Sequence, residues 1–482
     1  MPARLIATQS KATTCDASTD VTAHAVPAHT KIPSPVGAIR ERSCGTAQFS
    51  EMLRGGLAKP AQGLRKVVLS RQFDRAFFAR AADWVVVGVA LALPWSTSIT
   101  EILIALWLGM VLAALEPAAV KVEILTFAGG LAVLLWGLAV VGMLWADIDW
   151  HARFHGLRSF NRLLMIPVLL AQFRRSERGN DVIVAFLISS AAVLAVSYFL
   201  VLAPGLTWRG RSYLPGEPML GVPVRDYVYQ SSAFLICGFG VFGYVAFKGR
   251  QQRPYTTWGL LTLGAIFLGN LALVLISRIS LAIAPVLAAL LGWRLYRWKG
   301  VILACLLGLM IGAAFWGASH TLRDRLQGAV NEILQYRSAN AATAIGLHIA
   351  FLKESLQIIS SAPIIGHGTG SIPEQFQKLT NGQFGATAVS TVNPHNQTFA
   401  VAIQLGLIGA IVLWAMWLGH VSLFRSEGVV AWFGTVIVVE NIVSSTVHSH
   451  LFDFAQGWLY VFGVGVLGGM VRKRELEGDD KR

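Results

Sequence analysis

The sequence predicts an all-α polytopic membrane protein of about 12 transmembrane helices, with one large outward loop that contains helices of its own. Three observations carry that class. The 482 residues are 54% hydrophobic and only 14% charged, a balance that the water-facing shell of a soluble domain does not tolerate. Apolar runs of roughly 17 to 25 residues recur along most of the chain, each able to cross about 30 Å of hydrocarbon as a helix. Every second connection between those runs is basic, as short cytoplasmic connections are.

Residues 1–78 scatter Ser, Thr, Pro, Lys and Arg without periodicity and hold no apolar core of a secretory signal, which reads as a disordered cytosolic tail. Spans one to nine then occupy residues 79–318, near 82–98, 100–117, 122–145, 159–173, 182–203, 227–247, 256–277, 279–293 and 300–318. Their basic connections hold Arg174, Arg175 and Arg178, then Lys248, Arg250 and Arg253, then Arg294, Arg297 and Lys299. Residues 319–396 form the large outward loop, and spans ten to twelve lie near 397–424, 428–446 and 451–471. Residues 472–482, with Arg472, Lys473 and Arg474, close the chain, and an even count of spans puts both termini in the cytoplasm. This topology and anionic lipid explain the net charge of +14, so no nucleic-acid partner is needed. Of the four cysteines, Cys15 and Cys44 fall in the tail and Cys237 and Cys305 in apolar segments, which suggests no disulfide framework.

The outward loop is far longer than a connection requires, which points to function. Leu322, Leu326, Val330 and Leu334 lie at helical spacing, and "AIGLHIAFLKESLQII" continues with a similar stripe. These helices are expected to lie on the outer bilayer surface or to cap the bundle. "APIIGHGTGSI" follows, with Gly366, Gly368 and Gly370; a tight bend is favoured over a phosphate cradle.

Polar residues gather at the outer face. Asn393 suits an N-cap and Pro394 a first helical residue, which places His395 in the first turn of span ten, where free N–H groups attract an anion such as phosphate. Gly406 lies eleven residues on, about three turns deeper on the same face, with Gly409 on its flank. The resulting groove accepts either a close-packed neighbour or a lipid chain. Arg278 stands at the outward end of span seven, and Arg225, Arg209, Arg211 and Arg337 share that side. Guanidinium forks in such a cluster suit a diphosphate, while snorkelling to the head-group layer is the alternative for Arg278.

"HNQTFAVAIQLGLIG" matches the O-antigen ligase signature of His, then Asn, Ser or Gln, nine arbitrary residues, Gly, two more, and Gly, Thr or Tyr: His395, Asn396, Gly406 and Gly409. From about residue 80 to 471 the chain resembles the ligases that join O-antigen polysaccharide to the lipid A core of lipopolysaccharide, and less closely the related polymerases. The resemblance implies a GT-C-like glycosyltransferase at the bacterial inner membrane, with its site facing the periplasm. It implies an undecaprenyl diphosphate-linked O-antigen as donor, a lipid A-core oligosaccharide as acceptor, membrane lipid around both, and no cofactor or metal. Similar ligases carry a loop arginine followed four residues later by leucine; the position that looks equivalent here is His348, with Leu352 after it. A protonated His348 or Arg337 from a different turn is expected to supply that charge.

The resemblance thus implies His395 and Arg278 as catalytic residues, and Arg225, Arg337, His348, Asn396 and Arg211 as ligands of the diphosphate, with Gly406 and Gly409 on a lipid groove. An imidazole titrates near pH 6.5, and neighbouring arginines would lower that value, favouring the neutral form a general base needs. Rival signals are weaker. Asp147 and Asp149 form an Asp-x-Asp pair that an interfacial turn explains, and His448, His450 and Asp453 in "HSHLFD" fall short of a disciplined zinc ligand set. A transporter would need ionisable groups at midspan and inverted repeats, and only Glu440 with Asn441 is a midspan candidate. A protein O-oligosaccharyltransferase is expected to carry a further domain near its C-terminus.

Overall fold

The computed structural model describes residues 74–114, 116–203, 205–208, 211–212, 221–224, 226–275, 277–318 and 320–479. The tail expected over 1–78 lies outside them except for its last residues, which open a helix, α1, over 74–92. The helices that follow are α2 (Thr97–Ala114), α3 (Pro117–Ile124), α4 (Phe127–Gly142), α5 (Trp150–Asn161), α6 (Met165–Phe173), α7 (Gly179–Leu202), α8 (Tyr227–Lys248) and α9 (Pro254–Asn270). After them come α10 (Arg278–Ala318), α11 (His320–Ala339), α12 (Ala344–Ser361), α13 (Ile372–Thr380), α14 (Gln397–Leu423), α15 (Val429–Ser444) and α16 (Phe454–Asp479). A two-residue antiparallel ladder, Thr207 opposite Ser212 and Trp208 opposite Arg211, lies between α7 and α8.

Among the described residues, seven helices are long and apolar enough to cross a membrane, or up to nine if each of two bent pairs is one span. The sequence expects 12, and the differences have local causes. Span three is broken: α3 and α4 meet at 88°, because Gly129 and Gly130 bring the start of α4 onto the carbonyls of Glu123 and Ile124, and the Thr126 hydroxyl caps the new helix at the Gly129 N–H. Span four becomes the end of α5, a short 3-10 turn and the nine-residue α6. Spans eight and nine run together as α10, which breaks at Tyr296 and Arg297, the latter at φ 55°. At that break Gly292 and Gly300 touch backbone to backbone, so the two halves double back on each other. The second bent pair, residues 327–339 with α12 at 56°, lies in the segment expected to be the outward loop.

The helices α8, α14, α15 and α16 bury most of their length, whereas α2, α9 and α10 expose theirs, so the former make the centre of the bundle. Trp417 of α14, Trp432 of α15 and Tyr460 of α16 are fully buried there, and the Trp432 indole donates to Phe239 O at 2.8 Å. At the end of the bundle that carries Arg174 and Arg472, the fully buried Glu123 carboxylate meets both guanidinium groups, at 2.7 and 3.1 Å. This joins α3 to the C-terminal ends of α6 and α16. Glu123→Gln is expected to cost about 3 kcal/mol, since breaking a buried ion pair strands the partner charge, and thermal unfolding of the solubilised protein measures it.

Candidate functional site

The site begins where the segment between α10 and α14 returns to the bundle. Asn393 Oδ1 accepts the His395 N–H at 2.9 Å, a tight Asx turn that holds His395 at φ 53°. The helix starts after it: Asn396, not Asn393, is the N-cap, and its Oδ1 accepts from Phe399 N at 3.1 Å. His395 therefore stands one residue ahead of the α14 N-cap in a left-handed conformation, and the expectation of a first-turn position is corrected. The turn chemistry of Asn393 wins over its capping propensity because Pro394 follows it and Asn396 caps equally well.

The same few residues bind the segment between α15 and α16. Gln397 N donates to Ser445 O at 2.9 Å, Gln397 Oε1 accepts from Leu451 N at 2.9 Å, and Asn396 Nδ2 donates to Thr446 O at 2.9 Å. These clamps bring His448 beside His395, with Nδ1 to Nδ1 at 3.3 Å and ring centroids 5.4 Å apart. From the other side α12, capped by Thr343, packs Phe351 and Ile358 against Ala400 and Ile403 of α14. That packing sets Phe351 in a near-parallel stack on His395, 5.8 Å away at 12°, and places the His348 ring edge-on at 4.8 Å.

Four imidazoles result, graded in burial: His348 exposed, His395 and His448 half-buried, His450 buried at 1% exposure. His450 stacks on His448 at 5.4 Å and 9°. Burial, followed by the like charge of His348, holds His395 down to about 4; burial, followed by His395 and His348, holds His448 to about 4; and burial, followed by His448, holds His450 to about 3. The sequence expects arginines to do this; among the described residues, desolvation and neighbouring imidazoles do it. Beside the row, Arg162 donates to the carbonyls of Phe452, at 3.2 Å, and Asp453, fixing the loop that carries the histidines. Burial, with Asp226 nearby, pushes the Asp453 carboxyl up to about 6 against the pull of Arg162.

Below the histidines α14 breaks at Gly406, at φ 63° and ψ −161°. Breaking a helix strands carbonyls and N–H groups on either side, and residues 363–368 satisfy them. His367 N and Gly368 N donate to the carbonyls of Ile403 and Gln404, each at 2.9 Å, and Leu407 N donates to Pro363 O at 2.8 Å. The glycine turn continues the strap, as Thr369 Oγ1 donates to Ala139 O at 2.6 Å and Gly370 N to Gln404 Oε1 at 2.7 Å. "GHGTG" is thus a clamp between α4 and α14, the bend the sequence favours. The helix break also cancels the three-turn alignment of Gly406 with His395. Gly406 faces the backbone of Ile364 and Ile365, and Gly409 is buried against Val401 and Leu405, so protein fills the space expected of a lipid groove at these two positions.

Of the other expected site residues, Arg225 lies outside the described residues, as do the side chains of Arg278 and Arg211, whose backbones open α10 and lie in the short ladder. Arg337 is exposed on the last turn of α11. Asn396 uses both polar ends to hold α14 to the Thr446 carbonyl. Asp149 is the N-cap of α5 and Asp147 reaches Lys378 at 4.0 Å on the surface, which accounts for the Asp pair as a turn. Among the described residues no group of three or more His, Cys, Asp or Glu has the geometry of a metal site. Sequence reasoning missed Phe351 and the contact of His448 with His395; the three-residue step from His348 to Phe351 was the available signal for the former, and nothing local pointed to the latter.

Residues 263–414, from the second half of α9 into the apolar part of α14, match the family model described as O-antigen ligase. The stretch contains His348, Phe351, His395 and the strap, and the match supports the O-antigen ligase family for this chain. A search of curated proteins finds no match.

Proposed function

We propose, with the family match as premise, that the chain is an O-antigen ligase. It moves O-antigen polysaccharide from undecaprenyl diphosphate to a hydroxyl of the lipid A-core oligosaccharide at the periplasmic face of the inner membrane. The observation that supports this most is the half-buried imidazole of His395, set between His348, His448 and Phe351, where burial favours the neutral ring. The donor already carries a good leaving group, so the site has two tasks. His395 Nε2 takes the proton of the acceptor hydroxyl. The hydroxyl oxygen bonds to the anomeric carbon as the bond from that carbon to the diphosphate oxygen breaks, and the diphosphate leaves with the electron pair.

In-line displacement inverts the anomeric centre. Cations receive the leaving charge: Arg278, with Arg225, Arg211 or Arg337, and His348, whose place against His395 suits the loop cation of similar ligases. An arriving diphosphate favours the protonated form of His348, since an opposite charge within a few ångströms stabilises it.

Because His395 must be neutral and burial holds it near 4, the limb of kcat/KM that reports loss of the base is expected as pH drops through about 4. A loss of kcat/KM that already sets in at 6.5 or above as pH falls would contradict the burial that sets the base. The function itself is tested by complementing a ligase-deficient strain and reading the lipopolysaccharide ladder. The wild-type chain is expected to restore long ladders and a His395 variant to leave lipid-linked polymer unused. Single repeats attached to the core in the variant would identify a polymerase instead.

A further inference from the structure

We propose that His448 is a positioning residue for this reaction: it accepts the Nδ1 proton of His395 and so fixes the base in the tautomer whose Nε2 lone pair is free. The inference rests on the reading of His395 as the base. The two Nδ1 atoms are 3.3 Å apart, so one proton lies between two neutral rings and one ring must donate it. Were His448 the donor, the remaining proton of His395 would sit on Nε2 and leave no lone pair for the hydroxyl. Donation by His395 leaves Nε2 open, the part that a buried carboxylate plays for histidine in the serine hydrolases.

The surroundings of His448 fit an acceptor that becomes partner to a cation. Its backbone N–H bonds to Ser444 O at 3.1 Å, which places the ring just past the C-terminal end of α15, where carbonyls and the helix dipole favour positive charge. When His395 takes a second proton, its Nδ1–H donation to His448 strengthens in that field. His450 stacks on the His448 ring at 9°, and a parallel ring offers a π face rather than an N–H, so it does not compete for the Nδ1 lone pair. Phe351 covers the other partner, stacking on His395 at 12° and restraining its rotation. The clamps from Asn396 and Gln397 to Thr446, Ser445 and Leu451 hold the two backbones in register.

The test uses the full-length protein in lipid nanodiscs with ¹⁵N-labelled histidine, the His395 signals being assigned by their loss in His395→Asn. At neutral pH the wild type is expected to show a proton-bearing Nδ1 and a bare Nε2 at His395. Steady-state kinetics with lipid-linked glycan and core acceptor follow. His448→Asn, whose Oδ1 accepts from nearly the same place, is expected to keep most of kcat. His448→Phe is expected to lose roughly 10- to 100-fold in kcat, the usual cost of removing the partner that orients a functional imidazole, with KM for both substrates unchanged. Equal losses in the two variants, or an effect confined to KM, would overturn the proposal. So would a proton on Nε2 of His395, a measurement made on wild-type protein and independent of how the variants fold. A fully active His395→Asn protein would sink the base and this inference with it, whereas a reversed tautomer beside an inactive His395→Asn protein sinks only the role of His448.

Discussion

Replacing His395 by asparagine is expected to lower kcat about a thousandfold, in the middle of the range that loss of a positioned general base produces. Asparagine is the informative replacement because it tolerates a positive φ, so the backbone at 53° and the start of α14 keep their shape. Alanine there removes the base and adds strain, and comparing the two separates chemistry from folding. The loss should appear in kcat, with KM for the lipid-linked donor little changed, because the imidazole acts on the acceptor proton in the transition state and not on the bound diphosphate. Turnover of a defined lipid-linked glycan by the purified variant measures it. Residual activity within a few-fold of wild type would remove His395 from the mechanism.

The largest expected loss of stability follows from Gly406→Ala. The backbone there, at φ 63° and ψ −161°, is open to glycine alone, and an added Cβ would stand 2.2 Å from the Ile364 carbonyl oxygen and 2.3 Å from its carbon. Backbone on the other side cannot swing away as a flexible side chain would. Across the same seam a Cβ on Gly366, itself at φ 69°, would meet Gln404 and the Gly406 nitrogen, so the two glycines form one close backbone approach. Ejecting the strap would strand the carbonyls of Ile403 and Gln404 inside the bundle. We expect Gly406→Ala to cost about 4 kcal/mol or more, the scale at which point substitutions become exceptional, and to accumulate little folded protein. Gly312→Ala on α10 is the control: its Cβ would meet nothing within 4 Å, and gaining a better helix former should be neutral or stabilising. Size-exclusion profiles and thermal scans of both proteins check the contrast.

These two residues show how far the sequence could be read. His395 stood out because a polar ring at the mouth of an apolar run has a cost that function must justify. Its conformation was not legible, since Asn393 and Asn396 are both good caps and only packing chooses between them. Gly406 was legible as a small residue on an apolar helix, yet close approach of a neighbour and a lipid track look the same in one dimension. The Asp147 and Asp149 pair was correctly legible as a turn, because a carboxylate ahead of "WHARFHGLRSFNR" caps a helix whatever else surrounds it.

Composition and hydrophobic run length determined by themselves that this chain is a helical membrane protein, since hydrocarbon leaves the backbone few ways to satisfy its own polar groups. The motif that singled out His395, Asn396, Gly406 and Gly409 was also written in one dimension. Only the tertiary structure decided that α14 breaks where the glycine turn straps it, that α12 carries His348 and Phe351 to the base, and that His448 stands against it. Those contacts join residues far apart in the chain, and their geometry is set by how whole helices pack, a property that no local stretch of sequence contains.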